Sequence, residues 1–292
     1  MSSGAIMPKK RILAFAVSLA LGGAVEAGAQ TISTTALPAG GTVVGGQAAI
    51  ATQGAAMTVE QASARAAIDW QSFNIGSQAS VTFRQPSASA IALNRVLGTS
   101  GSEIYGRLSA NGQVFLLNPN GVLFGRGAQV DVGSLLASPI DLSPADFMAG
   151  RYNLSGGGSG SVVNRGSIRT APGGYAALIA PSVLNEGTID SPGGNVTLAA
   201  ASAATLDFMA DGLVRIRVDR GALAAEVANH GVITADGGAV LLKAESLDAL
   251  APSVVNMTGI IEAQTVEQAD GVVRLGSVEL RADRVDVSSE AR

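Results

Sequence analysis

The sequence predicts an all-β chain wound as a parallel β-helix, a solenoid whose coils hold about 20–22 residues each. Three observations lead there. The first is repetition beyond residue 162. Val163-Asn164-x-Gly166-x-Ile168 returns as Leu184-Asn185-x-Gly187-x-Ile189, as Ala228-Asn229-x-Gly231-x-Ile233, and loosely as Val255-Asn256 to Ile260. A second phrase alternates with it: Gly173-Gly174 to Leu178, Gly193-Gly194-x-Val196-x-Leu198, and Gly237-Gly238-x-Val240-x-Leu242. The second observation is composition: 37 Gly and 47% hydrophobic residues with only 4% aromatic suit many turns around thin core layers. The third is that so short a repeat cannot bury a face alone, whereas stacked coils pair every backbone with the coil above and below. The dense Leu framework of leucine-rich repeats and the helical stretches of βα units are both missing.

The asparagines Asn164 and Asn185 are 21 residues apart, and Asn185 and Asn229 are 44 apart. The 44 reads as two coils, with Leu213 to Val218 as a strand of the intervening one. On that reading roughly 11 to 12 coils are expected, a rod on the order of 50–60 Å.

In chain order, residues 1–29 read as a secretory leader. Lys9, Lys10 and Arg11 precede an apolar stretch from Ile12 to Val25, too short for a membrane span, and Ala27-Gly28-Ala29 fits a small-x-small cleavage site. The chain has no cysteine, so an exported form carries no disulfide staples. Its net charge is −4, and loss of a leader rich in cations makes it more negative, which favours neither nucleic acid nor an anionic membrane as partner. No later apolar run is long enough to span a bilayer, so no integral membrane protein is expected. Residues 38–51 hold a turn and weak strands. Val59 to Ile68 has helical propensity and is the most ambiguous segment, and the strand expected at 67–70 rests partly on a family resemblance. Trp70, the only tryptophan, reads as a core or cap residue. Residues 80–84 and 90–96 alternate with period two, placing Val81 with Phe83, and Ile91 with Leu93 and Arg95, on half-buried strands. Asp141 to Met148 has room for one helical turn. The run Gly156 to Gly160 reads as a flexible loop and not a phosphate loop, since no Gly-Lys-Ser/Thr follows.

The centre of the chain is Val114 to Leu117, then Asn118-Pro119-Asn120-Gly121, then Val122 to Phe124. Pro119 pre-sets φ for the second turn position, Asn118 can bond its own backbone two residues on, and Asn120 and Gly121 tolerate positive φ. This reads as strand, tight turn, strand.

With its leading string Ile104-x-Gly106-x-Leu108-x-Ala110-Asn111-Gly112-x-Val114-Phe115-Leu116, this centre resembles the secretion domain of two-partner-secretion exoproteins, the filamentous-haemagglutinin and high-molecular-weight-adhesin group. Ala67-Ile68-Asp69-Trp70-x-x-Phe73-Asn74-Ile75-Gly76, Ala92-Leu93-Asn94-Arg95-Val96 and Ala225-x-Val227-x-Asn229-His230-Gly231-x-Ile233 are similar to the same family in the same order. The likeness covers roughly residues 38–245. The shorter Asn-Pro-Asn-Leu motif of some members is absent. The resemblance implies a right-handed β-helix with extra β elements capping its N-terminal end. It implies recognition by an outer-membrane transporter through its periplasmic domains, at Asn118, Pro119, Asn120, Gly121 and Asn74. It also implies a secreted or surface-displayed adhesin or haemagglutinin, with host-cell glycans or proteins as further partners. The organisation expected is a leader at 1–29, a secretion domain with cap and first coils at 30–155, and the continuing solenoid at 156–292.

The repeated Asn164, Asn185, Asn229 and Asn256 read as structural, since Asn tolerates a bend and stacked amides can form a ladder along the rod. A glycan or ligand contact is the other reading. Nothing in the sequence assembles a catalytic set, so no enzyme and no cofactor is expected. His230 is the only histidine and sits at a repeat turn, and without cysteine no thiolate metal site is possible. Asp207, Asp211 and Asp219 are irregularly spaced, and Asp283 and Asp286 lie among Arg281 and Arg284 as a solvated face would. A carbohydrate-active β-helix enzyme, lyase or hydrolase, is the alternative function, resting on the fold alone.

Overall fold

A computed structural model describes residues 32–208, 214–223, 225–247, 253–263, 267–269, 272–274 and 277–288. The expected leader, with Ala27 and Ala29, lies outside the described residues, as do Asp211 and Leu213.

The strands stack on three faces. The first face is Arg65–Trp70, Ile91–Val96, Gln113–Leu117, Ser134–Ser138, Tyr175–Ala180, Asn195–Ala200, Ala239–Ala244 and Ser277–Arg281, each parallel to the next. The second face is Ser102–Ile104, Val122–Phe124, Val162–Asn164, Ser182–Asn185, Glu226–Asn229, Val254–Met257 and Arg284–Val287. The third is Ala56–Gln61, Ser80–Arg84, Arg107–Ala110, Gln129–Val132, Ser167–Thr170, Thr188–Asp190, Val232–Thr234 and Ile260–Glu262. Each coil runs first face, second face, third face. Numbered by their first-face strands, the described residues form coils 1 to 8 of a parallel β-helix. At about 4.8 Å per coil the stack is on the order of 35 Å.

That is shorter than the repeat spacing predicts, and the reason is specific. Asn185 and Asn229 are neighbours in adjacent coils, not two coils apart, as are Asn195 and Ala239. The extra residues leave the helix as an antiparallel hairpin, Ala203–Phe208 with Val214–Arg220. The stretch to Val218 therefore belongs to a lateral hairpin and not to an intervening coil. A second excursion, residues 139–161, leaves coil 4 between its first and second faces. It carries the one short helix among the described residues, Pro144–Met148, capped by Ser143, whose side chain accepts from the Asp146 N–H. It also carries Asn153–Leu154, which pairs with the hairpin.

The N-terminal end is closed by chain reversal. Thr42–Gly45 runs antiparallel to Arg65–Trp70, and Ala48–Gln53 runs antiparallel to Ala56–Gln61. The helix-prone segment 59–68 is split between two strands, because Val59 and Ile68 are needed inside the β-helix, where both are fully buried. Tertiary burial of a few kcal/mol outweighs propensities of tenths.

Two cores result. Inward columns such as Val114, Leu135, Ala176, Val196 and Val240 fill the helix interior. The outward side of the first face is also apolar: Leu93, Phe115, Leu136, Ala177 and Ile179 meet Phe147, Tyr152, Leu154 and Leu206 of the two excursions. Ile91 and Leu93 thus share a face, as the alternation predicts, but their strand is buried on both sides.

The asparagine ladder lies inside the helix. Asn164, Asn185 and Asn229 are fully buried on the second face, and each Nδ2 donates to the next Oδ1 at 2.7 Å. The Gly166 N–H closes one end on Asn164 Oδ1, and Asn229 Nδ2 reaches Met257 Sδ at the other. Asn256 is not a rung. It registers with Ala228 and points outward half-buried, while Met257 takes the inward position above Asn229. The loose fourth repeat is offset by one residue, and in a strand one residue reverses the face.

Candidate functional site

Asn118-Pro119-Asn120-Gly121 forms the corner of coil 3 between its first and second faces. The Gly121 N–H donates to the Asn118 carbonyl at 2.8 Å, and Asn118 Oδ1 accepts from the Asn120 N–H at 2.9 Å. Gly121 has φ +99°, a region that disfavours any side chain. The local turn chemistry is as the residue order predicts.

The tertiary setting makes the four residues unequal. Asn118 is fully buried. Its Nδ2 donates to the Ser100 carbonyl at 3.0 Å and Ser102 Oγ at 2.9 Å, both in coil 2. Its backbone N–H donates to the Ser138 carbonyl of coil 4 at 2.9 Å. One asparagine therefore fastens three coils, and every polar atom it buries is satisfied. Asn120 is exposed and sends Nδ2 to the Gly98 carbonyl at 2.9 Å. Pro119 is half-buried. Asn74 lies on the same side, in coil 1, and its Oδ1 accepts the Glu103 N–H at 2.9 Å. It acts there as a splice between coils 1 and 2.

Residues that sequence reasoning missed hold the turn from above. The run Gly156 to Gly160, expected to be a flexible loop, lies against it. Gly160 N–H donates to the Pro119 carbonyl at 3.2 Å, and Val122 N–H to the Ser161 carbonyl at 3.0 Å. A Cβ on Gly158 would stand 1.7 Å from the Pro119 oxygen. Gly158 and Gly160 are there for close backbone approach to the turn, not for looseness. Gly158→Ala is expected to push this return segment off the turn and lower stability by about 1–3 kcal/mol, while Gly156→Ala, with open space around it but a strained positive φ, should cost nearer 1 kcal/mol. Urea titration of the two variants checks the order.

Beside the turn, the second face carries a charged ridge. Arg165 Nε meets Glu186 Oε2 at 2.5 Å, which holds the Glu186 carboxyl below its usual range. His230 follows one coil on, exposed, with Nδ1 against Thr258 Oγ1. Burial, then the charge of Glu103, pushes the Tyr105 phenol up.

Among the described residues, no hydrogen bond or shared cation joins Asp207 to Asp219. Asp207 and Asp219 sit on the lateral hairpin, where Asp219 bonds Thr205 and pairs with Arg217 at 3.1 Å. Among the described residues no three His, Cys, Asp or Glu side chains converge to hold a metal, and no helix is long and apolar enough to cross a membrane.

Comparison with known proteins adds four findings. The TPS secretion domain family model matches residues 34–284. A heme/hemopexin-binding protein of Haemophilus influenzae is 32% identical over 282 residues, covering 90% of this chain and 30% of the relative. Another heme/hemopexin-binding protein of that organism is 46% identical over 99 residues, 34% of this chain and 11% of its own. The chain thus spans about 30% of the length of the former. The crystal structure of the HMW1 secretion domain from Haemophilus influenzae superposes with a TM-score of 0.67 at 23% identity, covering 86% of this chain and 84% of that one. At that identity the likeness is one of fold.

Proposed function

Because the chain belongs to the TPS secretion domain family of two-partner-secretion exoproteins, we propose that it is the module by which an exoprotein is taken from the periplasm to a dedicated outer-membrane transporter. The observation that carries this is the family match, which runs through the cap, the first coils and the solenoid alike. Residues 1–29 would serve as the cleaved leader, residues 30–155 as the part that engages the transporter, and the later coils as the start of the exported solenoid. Within the turn, Asn120 and Pro119 offer surface to a partner, and Asn118, Gly121 and Asn74 hold that surface in shape. Surface display as an adhesin or haemagglutinin, and any binding of host molecules such as the relatives' names record, would belong to the exoprotein as a whole.

The test is export from cells that carry or lack the cognate transporter. Accumulation of the chain in the medium only when the transporter is present is expected. Equal release without it would overturn the proposal.

A further inference from the structure

A cavity of about 470 Å³ opens where the first face meets the two excursions, lined by none of the turn's residues. We propose that it is a binding site for a carboxylated pyranose, a sugar ring bearing one acid group, as in a hexuronic acid. Its volume falls in the range of small-molecule sites, ~300–1,000 Å³.

One wall is an outward column of the first face, Arg65, Ile91 and Gln113, in register on coils 1 to 3. The opposite wall is Tyr152 and Phe208 from the two excursions. Arg65 Nε donates to the Tyr152 hydroxyl at 2.9 Å, which fixes the guanidinium plane and leaves Nη2 on the Gly150 side of the cavity. No carboxylate lines the cavity, and among the described residues Arg65 has no acidic partner. The guanidinium lies 5.9 Å over the Tyr152 ring and faces the cavity with no carboxylate of the lining beside it, and a ligand carboxylate adds the two-pronged contact that a planar fork favours.

Two further features narrow the class. Gln113 has its Oε1 engaged by the Tyr175 hydroxyl at 2.8 Å, so its amide N–H groups are the part left to serve a ligand. The cavity therefore presents donors, which suits a ligand rich in acceptor oxygens. Phe208 is 38% exposed and packs its ring 4.7 Å from that of Tyr152. It offers a flat apolar platform of the kind that the C–H face of a pyranose covers, while Ser89 and Gln113 meet the hydroxyl rim.

The experiment is a chemical-shift titration of the purified, nitrogen-labelled chain with three probes: methyl β-D-glucuronide, methyl β-D-glucoside and benzoate. Saturable shifts of the Gln113 side-chain amide with the glucuronide are expected, with a Kd on the order of 1 mM. The glucoside and benzoate should each bind at least about tenfold more weakly. Phe208→Ala, at the cavity rim, and Arg65→Gln should each weaken the glucuronide by a similar factor, with the rest of the spectrum keeping its dispersion. Absence of saturation with the glucuronide, equal binding of the glucoside, equal binding of benzoate, or wild-type affinity in Phe208→Ala would each overturn the proposal. Should Arg65→Gln lose its dispersion, Phe208→Ala and the glucoside comparison still decide it.

Discussion

Asn118→Ala is expected to abolish export and to lower the stability of the refolded chain by about 2–4 kcal/mol. The substitution removes a fully buried amide and strands the Ser100 carbonyl and the Asn120 N–H that it served. Each stranded group costs about 1–3 kcal/mol, a large share of the ~5–15 kcal/mol that holds a typical domain. Asn120→Ala loses the exposed bond to the Gly98 carbonyl and a 3.2 Å bond to Asn118 Oδ1, which keeps the Asn120 N–H, and should cost about 1 kcal/mol. The two asparagines therefore separate shape from contact. Secreted yield in the presence of the transporter, set beside the urea midpoint of each refolded variant, reads both effects. If Asn120→Ala also loses export while keeping its midpoint, the turn is touched by the transporter. Wild-type export of Asn120→Ala would leave only the turn's shape, and wild-type export of Asn118→Ala would sink a role for the turn altogether.

The solenoid was legible because stacking forces repetition. An inward Asn must recur at one register for its amide to reach the next, and the glycine pairs recur where coil backbones pass closely. The number of coils was not legible, because the lateral hairpin between Asn185 and Asn229 is one coil long and its strand up to Arg220 alternates like any coil strand. Burial of the first face on both sides leaves its own signal in the sequence. Val114 to Leu117 is apolar without alternation, the mark of a strand covered twice. What covers it, residues 139–161 and the hairpin, carries no repeat, so its partners are visible only in three dimensions. The same holds for the turn. Its four residues announce a bend from their order alone, yet Ser100 and Ser102, which take up the buried Asn118 amide, and Gly158, which packs on Pro119, lie elsewhere in the chain.

Arg95→Ala is expected to cost about 3 kcal/mol near neutral pH, and less in mild acid. Arg95 stands on the outward side of the first face, its side chain 16% exposed, with Nε 3.6 Å from Asp69 Oδ1 and 3.3 Å from Asp141 Oδ1. Asp141 belongs to the excursion that returns across the turn, so this one cation ties coils 1 and 2 to that segment. Neither Arg95 Nε nor Asp69 Oδ1 finds a hydrogen bond, so the contact is one of charge alone. Asp69 shows the balance. Burial raises its pKa above 3.8, Arg95 lowers it and Asp141 raises it, and the net direction is up. A carboxyl with a raised folded pKa binds its proton more tightly when folded. Its stabilising contribution is present below the unfolded value and is lost as pH rises through the folded one. At neutral pH the ionised Asp69 is thus a burden that Arg95 only partly offsets, and removing the cation leaves a desolvated anion facing a second one. Protonation of Asp69 relieves that, so the penalty of Arg95→Ala should shrink as pH falls from neutral into the carboxylate range. Asp69→Asn should be near neutral or mildly stabilising at pH 7, because the amide needs no counter-charge and Arg95 keeps Asp141. Urea midpoints of the two variants at neutral pH and in the carboxylate range measure this. An Arg95→Ala penalty that is the same at both, or an Asp69→Asn loss as large as that of Arg95→Ala, would show that the group is held by packing and not by charge.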